Sequence, residues 1–204
     1  MSKYGLTQTV LREEKYLVKA LKEMGYEVEV HPQGAQLNSY YSEQEAKAAN
    51  IVIRRQHLRG AYGDIGFARQ PDGRLTLITD ELDEHRGYGA RWLGRVQQGY
   101  KEKQTLAMAR AKGYTLKGRE VIETTEGQQV RLQFVVRRQV TMQQKTITII
   151  INEKGSSTLD LEGFAGQGCE KVFDDFRGGD MVKVERKKPV YYTGQQIERE
   201  KSRR

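Results

Sequence analysis

The chain has 204 residues, of which 37% are hydrophobic and 30% charged, and its formal net charge is +8 at pH 7. That length suits one large domain or two small ones, and no apolar run approaches the ~20 residues that a membrane span needs. The single cysteine excludes an internal disulfide and a zinc site built from several cysteines. The first residues lack the apolar region of a secretory signal, so we expect a cytoplasmic protein.

The first eighty residues predict one helix followed by strands. Apolar residues at helical spacing predict an amphipathic helix over 9–24, and Gly25 stands where a left-handed cap would end it. Apolar and polar residues then alternate over 26–30, which predicts a strand, and the polar stretch 32–47 is expected to form a long loop. Pro71 and Gly73 favour a tight turn between the last two of three further strands, predicted at 50–55, 64–69 and 74–79.

A long helix over 90–112 and a hairpin of strands over 114–123 and 128–138 complete the predicted first domain, residues 1–138. Together these elements favour an α+β fold, with an antiparallel sheet and two helices packed on one of its faces. The expected core consists of Leu17, Leu21, Val28, Ile53, Phe67, Leu77, Leu93, Val96, Leu132 and Phe134.

A smaller β-β-α module is predicted after a polar linker over 139–145. Its elements are strands at 146–152 and 157–161, a helix at 169–177 and one more short strand at 181–184. The module is assigned to residues 146–192, and the polar residues 193–204 are expected to be a disordered tail. A unit of this size is marginal alone and should pack on the first domain or on a partner.

Both parts resemble known families. Residues 1–138 resemble the bacterial and plastid family of the conserved hypothetical chloroplast reading frame thirty-five (ycf-type), a domain of unknown function, in the segments Leu21–Val30, Ala49–Ile53, Asp64–Phe67 and Trp92–Tyr100. That family usually has a tyrosine directly before its Asp-Ile-Gly-Phe stretch, whereas here Gly63 stands between Tyr62 and Asp64.

Residues 146–192 resemble a second small domain of unknown function. The pattern is a strand, a glycine turn, a strand and then Gly163, Gly166 and Cys169 opening a helix, with Tyr191-Tyr192 near the end. The two resemblances imply a companion of AAA-type ATPases without an established catalytic chemistry. They imply an architecture and a kind of partner, and they imply no reaction.

Arginines and aromatic residues make the best candidate for a nucleic-acid surface. Guanidinium groups bind phosphates, and the rings of Tyr62 and Phe67 offer faces on which bases stack, although Phe67 is also expected in the core. The candidate residues are Arg54, Arg55, Arg59 and Arg69, extended by Arg131, Arg137 and Arg138 if the strands are neighbours. The alternative interpretation is a solvated surface of mixed charge.

Cys169 follows three glycines at the start of a predicted helix. A helix N-terminus lowers the pKa of a thiol, so Cys169 is a candidate functional thiol. No histidine near it in the sequence would activate it, and we favour a structural cysteine that lets the helix pack on the sheet.

Two weaker motifs carry no assignment. The glycine-rich loop over 163–168 is similar to a phosphate cradle, but it lacks the Gly-Lys-Ser/Thr ending of a P-loop and the spacing of a dinucleotide fingerprint. The acidic run from Asp80 to His85 offers oxygen ligands at a spacing that fits no known metal loop. We therefore predict no cofactor and no metal.

Two functions from different classes remain open. The first is a non-enzymatic adaptor or regulatory subunit that acts with a AAA-type ATPase or another protein complex. The alternative is a nucleic-acid-binding module that uses an arginine-rich sheet surface. A thiol-dependent enzyme that uses Cys169 is the third and least favoured reading.

Overall fold

A computed structural model describes residues 4–39, 47–125, 127–136, 145–164 and 167–177. It confirms the α+β class. The chain divides into two compact units, one of Met1–Lys103 with Glu153–Gly155 and one of Gln104–Asn152 with Ser156–Arg204. Within the described residues, no helix is long and apolar enough to cross a membrane.

Unit 1 contains a five-stranded antiparallel sheet. Its strands are β1 (Tyr4–Thr7), β2 (Glu29–Gln36), β3 (Ala48–Ile53), β4 (Ile65–Arg69) and β5 (Leu75–Asp80), in the spatial order β1-β5-β4-β3-β2. The predicted turn between β4 and β5 is confirmed, because the Gly73 amide donates to the Gln70 carbonyl at 2.9 Å and Gly73 has φ 82°.

The helices of unit 1 are α1 (Glu14–Glu23), the short α2 (Glu81–Asp83) with a π-helical turn over Glu84–Tyr88, and the start of α3 (Ala90–Ala111). A single 3₁₀ turn covers Arg55–His57. The sequence predicted α1 from Thr9, but Thr9 and Leu11 are instead hydrogen-bonded to the backbone of Leu75 at the start of β5. Those bonds keep the segment extended, so the helix begins five residues later than predicted.

One core of unit 1 forms where α1 and α3 meet the sheet. Leu17, Leu21 and Phe67 are almost fully buried, and the Phe67 and Trp92 rings lie 6.4 Å apart. A Cβ on Gly99 of α3 would lie 3.3 Å from the Ala20 Cβ of α1, so the two helices pack closely. Nine of the ten predicted core residues are buried.

The exception is Val28, which is only half-buried and precedes β2. The strand predicted at 26–30 was misplaced, since β2 runs over 29–36 through part of the expected loop. β2 is an edge strand, where Pro32 needs no ladder partner for its missing N–H. Alternation at an exposed edge is therefore a poor guide to the strand's position.

A second, smaller cluster was not predicted. Tyr4, Leu37, Ala49, Val52 and Ile78 pack together as a separate apolar group. Two of these residues, Tyr4 and Leu37, lie in segments where no strand or core position was predicted.

Unit 2 contains a four-stranded antiparallel sheet and the helix α4 (Gln167–Phe176). Its strands are β6 (Tyr114–Thr124), β7 (Gly127–Val136), β8 (Thr146–Ile151) and β9 (Ser157–Glu162), in that spatial order. Their alternate apolar residues, among them Leu132, Phe134 and Ile149, share a core with α4.

The strands predicted for residues 1–138 thus belong to two sheets, because β7 is hydrogen-bonded to β8 from Val130↔Ile151 to Val135↔Thr146. The expected linker falls largely on residues 137–144, which lie outside the described ones, as do the predicted strand at 181–184 and the tail at 193–204. Whether 1–138 and 146–192 fold as separate domains stays a prediction.

Candidate interaction surface

Arg54 and Asp64 form a partly buried ion pair that ties three segments together. Arg54 Nη1 lies 2.9 Å from Asp64 Oδ2, and Arg54 Nε lies 2.8 Å from Glu29 Oε2. Asp64 also accepts hydrogen bonds from the backbone amides of Asn38 at 2.9 Å and Arg55 at 2.8 Å. Because its side chain is only 2% exposed, Asp64 acts as an anchor for the surrounding loops.

The candidate arginines are distributed over several parts of the structure. Arg69 lies at the opposite end of β4 and pairs with Glu14 at 3.2 Å. Arg131 belongs to unit 2, where it pairs with Glu120 at 3.2 Å. Arg55 and Arg59 are exposed, whereas Arg137 and Arg138 lie outside the described residues. The described arginines of unit 1 therefore do not make one continuous basic patch, and Arg54, Arg69 and Arg131 each pair with a carboxylate.

The Asp-Ile-Gly-Phe stretch is explained by packing. Asp64 anchors the loops, and Ile65 and Phe67 are fully buried. Gly66 lies against Ala49 and Leu37, and a Cβ at this position would come 2.5 Å from the Ala49 Cβ and 2.8 Å from Leu37 Cδ1. Only glycine fits there without moving its neighbours.

The acidic run begins at the last residue of β5 and helps to hold the neighbouring loops in place. Not all of its side chains therefore face solvent. Asp80 accepts from the Leu82 amide at 3.0 Å, which caps α2, and from Ser39 Oγ at 2.9 Å. Asp83 accepts from the amides of Tyr62 at 2.8 Å and Gly63 at 3.0 Å, and burial raises the pKa of its carboxyl. Across the described ranges, no group of three or more His, Cys, Asp or Glu side chains is placed to hold a metal ion.

Tyr4 lies close to these carboxylates. Its hydroxyl is buried, and no side chain in the described part of the chain forms a hydrogen bond with it. Burial, followed by the charges of Asp64, Asp80 and Asp83, raises the pKa of Tyr4. The phenol therefore stays protonated and contributes to the fold mainly by packing its ring.

Cys169 lies in the first turn of α4, as predicted, and is 7% exposed. It shares its core with Phe134, Val172 and Phe176. That location is the one that a structural cysteine requires, while its reactivity stays a prediction. Of the glycine-rich loop, Gly163 has φ 77° and Gly166 lies outside the described residues.

The strand β1 is the feature that the sequence did not reveal. Among the strands of the described ranges it is an edge strand, and there it pairs only with β5. Leu6 within it is 60% exposed and Val10 just after it is 61% exposed. A four-residue strand is too short for its alternation to be recognised, so only the pairing with β5 identifies it.

A cavity of about 350 Å³ opens beside β1 within unit 1. Gly5 and Thr7 of β1 pair with Thr79 and Leu77 of β5. The cavity therefore lies beside an edge of the sheet at which Gly5 has no side chain and Thr7 has a small one. The lining residues are Thr7, Leu77, Thr79, Glu84, Tyr88, Gly89, Ala90, Leu93, Gly94, Gln97 and Lys154.

Lys154 is held at this cavity by two glycine contacts inside unit 1. A Cβ on Gly94 would lie 2.7 Å from the Glu153 carbonyl oxygen, and a Cβ on Gly155 would lie 2.9 Å from Gln97. The residues 153–155 therefore lie directly on the first turns of α3, which fixes the position of the Lys154 backbone beside the cavity.

Comparison with known families places the chain in one of them. The chain matches the family described as a protein of unknown function (DUF1257) over residues 20–133, more than half of its length, and it belongs to that family. The match contains the Arg54–Asp64 pair and Gly66, and it stops short of β1, β8, β9 and α4. Comparisons with curated proteins and with solved structures gave no significant match.

Proposed function

We propose that the protein is a non-enzymatic adaptor or regulatory subunit that binds a protein partner along β1, with a AAA-type ATPase as the expected partner. The observation that carries the proposal is the outer edge of β1, with which no described strand pairs, beside two exposed apolar side chains, Leu6 and Val10. Sheet edges are common sites at which a partner adds a strand.

Edge strands that bind nothing are usually protected by charged residues or proline. The Tyr4–Thr7 strand contains neither. Covering the side chain of Leu6 would contribute roughly 1–2 kcal/mol from apolar surface alone. A protein partner would therefore gain stability from this edge.

The buried carboxylates near β5 and the thiol of Cys169 already serve the fold, which is consistent with a binding role. Asp64, Asp80 and Asp83 accept hydrogen bonds that hold loops, and Cys169 is part of a core. Each of these groups thus has a structural task.

The arginine-rich surface remains the alternative proposal. No observation in the described part of the chain favours it, because Arg54, Arg69 and Arg131 pair with carboxylates. We expect weak binding to random DNA or RNA that disappears by ~0.2 M salt, since only diffuse charge would contribute. Sequence-selective binding that persists at this salt concentration would favour the alternative.

Two finer assignments belong to the same proposal. We assign residues 1–138 to the ycf-type family on their segment resemblances, and 146–192 to a second small module. The strand–turn–strand–helix order of β8, β9 and α4, with Cys169 in the first turn of the helix, supports the second assignment.

Affinity capture with matched variants tests the adaptor role. Tagged wild-type protein, Leu6→Lys and Leu116→Lys are compared by quantitative mass spectrometry. Leu116 is an exposed leucine on β6, 44% exposed, and therefore controls for the loss of an apolar side chain elsewhere. We expect a AAA-type ATPase to be captured by wild type and Leu116→Lys and lost with Leu6→Lys. Equal recovery of every protein by all three baits would refute the role of β1.

A further inference from the structure

We propose that β1 takes an extended segment of the protein partner as an added strand, and that a lysine or arginine of this segment lies opposite Gly5, beside the carboxylates of Glu81 and Glu84. This inference rests on the proposed protein-binding function. It adds the chemistry by which the partner would be recognised, namely a basic side chain flanked by apolar ones.

Gly5 leaves a gap in the edge strand that a side chain of the partner can occupy. It pairs with Thr79 of β5 and has no side chain of its own. A Cβ at this position would lie 3.8 Å from Glu81 Cγ and 4.0 Å from Glu84 Oε1. Both acidic side chains therefore reach the face of the sheet toward which a side chain at position 5 would point.

The two glutamates are exposed and are not already paired. In the described part of the chain, the side chains of Glu81 and Glu84 form no hydrogen bond and no ion pair. Arg86 follows them closely in the sequence, but its guanidinium donates to the Gly60 carbonyl at 3.0 Å and lies over the Tyr62 ring. A basic side chain of a partner would therefore find two carboxylates available for charge-assisted hydrogen bonds.

Buried carboxylates add negative charge at the same end of β1. Burial first, and then the charges of Asp64, Asp80 and Asp83, raise the pKa of the Tyr4 phenol. Of these carboxylates, Asp64 is paired with Arg54, whereas Asp80 and Asp83 accept hydrogen bonds from backbone amides. The electrostatic potential at the Tyr4 end of the strand is thus negative, which favours a basic partner residue.

The local charge at β1 is opposite in sign to the net charge of the chain, which is +8. Lys154, the lysine in the lining of the cavity, already has an interaction partner in the protein. Charges in direct contact act well within the Debye length of about 8 Å at physiological ionic strength, whereas distant surface charges are largely screened. The two glutamates therefore decide which strand is accepted, and they repel an acidic one.

The two faces of β1 favour different side chains in the added strand. Alternate residues of an extended segment point to opposite faces of a sheet. The residue opposite Gly5 points to the face of Thr7, on which Glu84 and Leu77 line the cavity of about 350 Å³. Its neighbours point to the face of Leu6, which is exposed. A basic side chain with a long apolar stem suits the first position, and apolar side chains suit the flanking ones.

Fluorescence anisotropy with designed peptides in ~0.15 M salt tests the inference on the full chain. The probe is a labelled acetyl-Thr-Val-Lys-Val-Thr-amide peptide, whose central lysine would lie opposite Gly5 while the two valines lie on the side of Leu6. Norleucine at the centre keeps the stem and removes the charge, and glutamate reverses the charge. A lysine peptide with N-methylated backbone amides cannot pair as a strand.

The protein variants are Glu84→Gln, the double variant Glu81→Gln/Glu84→Gln and the matched control Glu162→Gln. Glu162 is an exposed glutamate at the end of β9, an edge strand of the other sheet. Wild type and Glu162→Gln should bind the lysine peptide roughly three- to tenfold more tightly than the norleucine peptide, as expected for solvent-exposed charge pairs, and the glutamate peptide most weakly. The lysine preference should decrease in Glu84→Gln and fall to about twofold or less in the double variant.

Contrary outcomes are separable from failure of the adaptor role. Equal affinity of wild type for the lysine and norleucine peptides, or a lysine preference that is unchanged in the double variant, overturns the basic selection. Unchanged binding of the N-methylated peptide overturns strand addition, and the lack of any binding at about 1 mM peptide overturns both. If Leu6→Lys still abolishes partner capture in those cases, the proposed function stands and only this inference fails.

Discussion

Gly66→Ala is the most direct test of how the Asp-Ile-Gly-Phe stretch fits the fold. The added methyl group would lie 2.5 Å from the Ala49 Cβ and 2.8 Å from Leu37 Cδ1. Carbon atoms at optimal separation are about 3.5–4.0 Å apart, so the strands must separate by roughly 1 Å or Leu37 must leave its rotamer. Overpacking of this kind costs about 1–3 kcal/mol. We expect about 3 kcal/mol, because the Ala49 Cβ is bonded directly to the backbone and cannot move away by a change of rotamer.

The single tryptophan makes the measurement specific for unit 1. Trp92 is 2% exposed and belongs to that unit, so its fluorescence in urea reports the unfolding of unit 1. Gly5→Ala is the matched control, since Gly5 is also a strand glycine and its Cβ would meet nothing closer than 3.7 Å. The control should change the unfolding free energy by less than about 1 kcal/mol, and in the stabilising direction.

A compensating variant gives the result that would refute the reasoning. Ala49→Gly removes the nearest atom, so the double variant Gly66→Ala/Ala49→Gly should be more stable than the sum of the two single effects by about 1 kcal/mol or more. If Gly66→Ala is as stable as Gly5→Ala, or if the double variant is simply additive, close packing against Ala49 does not explain the glycine.

Three further outcomes are expected. Cys169→Ala should cost roughly 1 kcal/mol and Cys169→Ser somewhat more, and the native thiol should react slowly with a thiol reagent; rapid alkylation near neutral pH would contradict the structural role. Asp64→Ala should cost about 3 kcal/mol in urea unfolding, since it leaves two backbone amides without their acceptor and removes the buried one of the two carboxylates that pair with Arg54; a loss below about 1 kcal/mol would count against the anchor. Burial tends to raise the pKa of Asp175, but hydrogen bonds from Lys112 and Tyr114 hold it below its ordinary value, so its stabilisation is present above the ordinary carboxyl pKa and is lost as pH falls through the lowered one. The difference in unfolding free energy between wild type and Asp175→Asn should therefore shrink between about pH 5 and pH 2, and a constant difference would contradict the assignment.

The candidate site was only partly accessible to sequence reasoning. The arginines were chosen for their charge, but charge alone does not reveal that Arg54 faces Asp64 and Glu29, or that Arg69 faces Glu14. The burial of Cys169 was expected from the glycines before it, because such residues allow close backbone approach. The β1 edge was missed because four residues carry too little periodicity.

Local patterns in the sequence determine most of the regular elements. The turn at 70–73 and the helix from Ala90 depend on proline, glycine and apolar spacing within a few residues, so they can be predicted without the rest of the chain. The α+β class follows from the order of these elements. The same applies to Leu132 and Phe134, whose alternation alone predicts the buried face of β7.

Tertiary structure decides which strands share a sheet and which groups meet. β1 joins β5 across more than seventy residues, and β7 joins β8 rather than the sheet of the earlier strands. Such pairings depend on the fit of side chains from distant segments. An example is the packing of Leu37 and Ala49 against Gly66. Periodicity within one strand carries no information about its neighbour, which is why the edge at β1 and its cavity emerge only from the assembled fold.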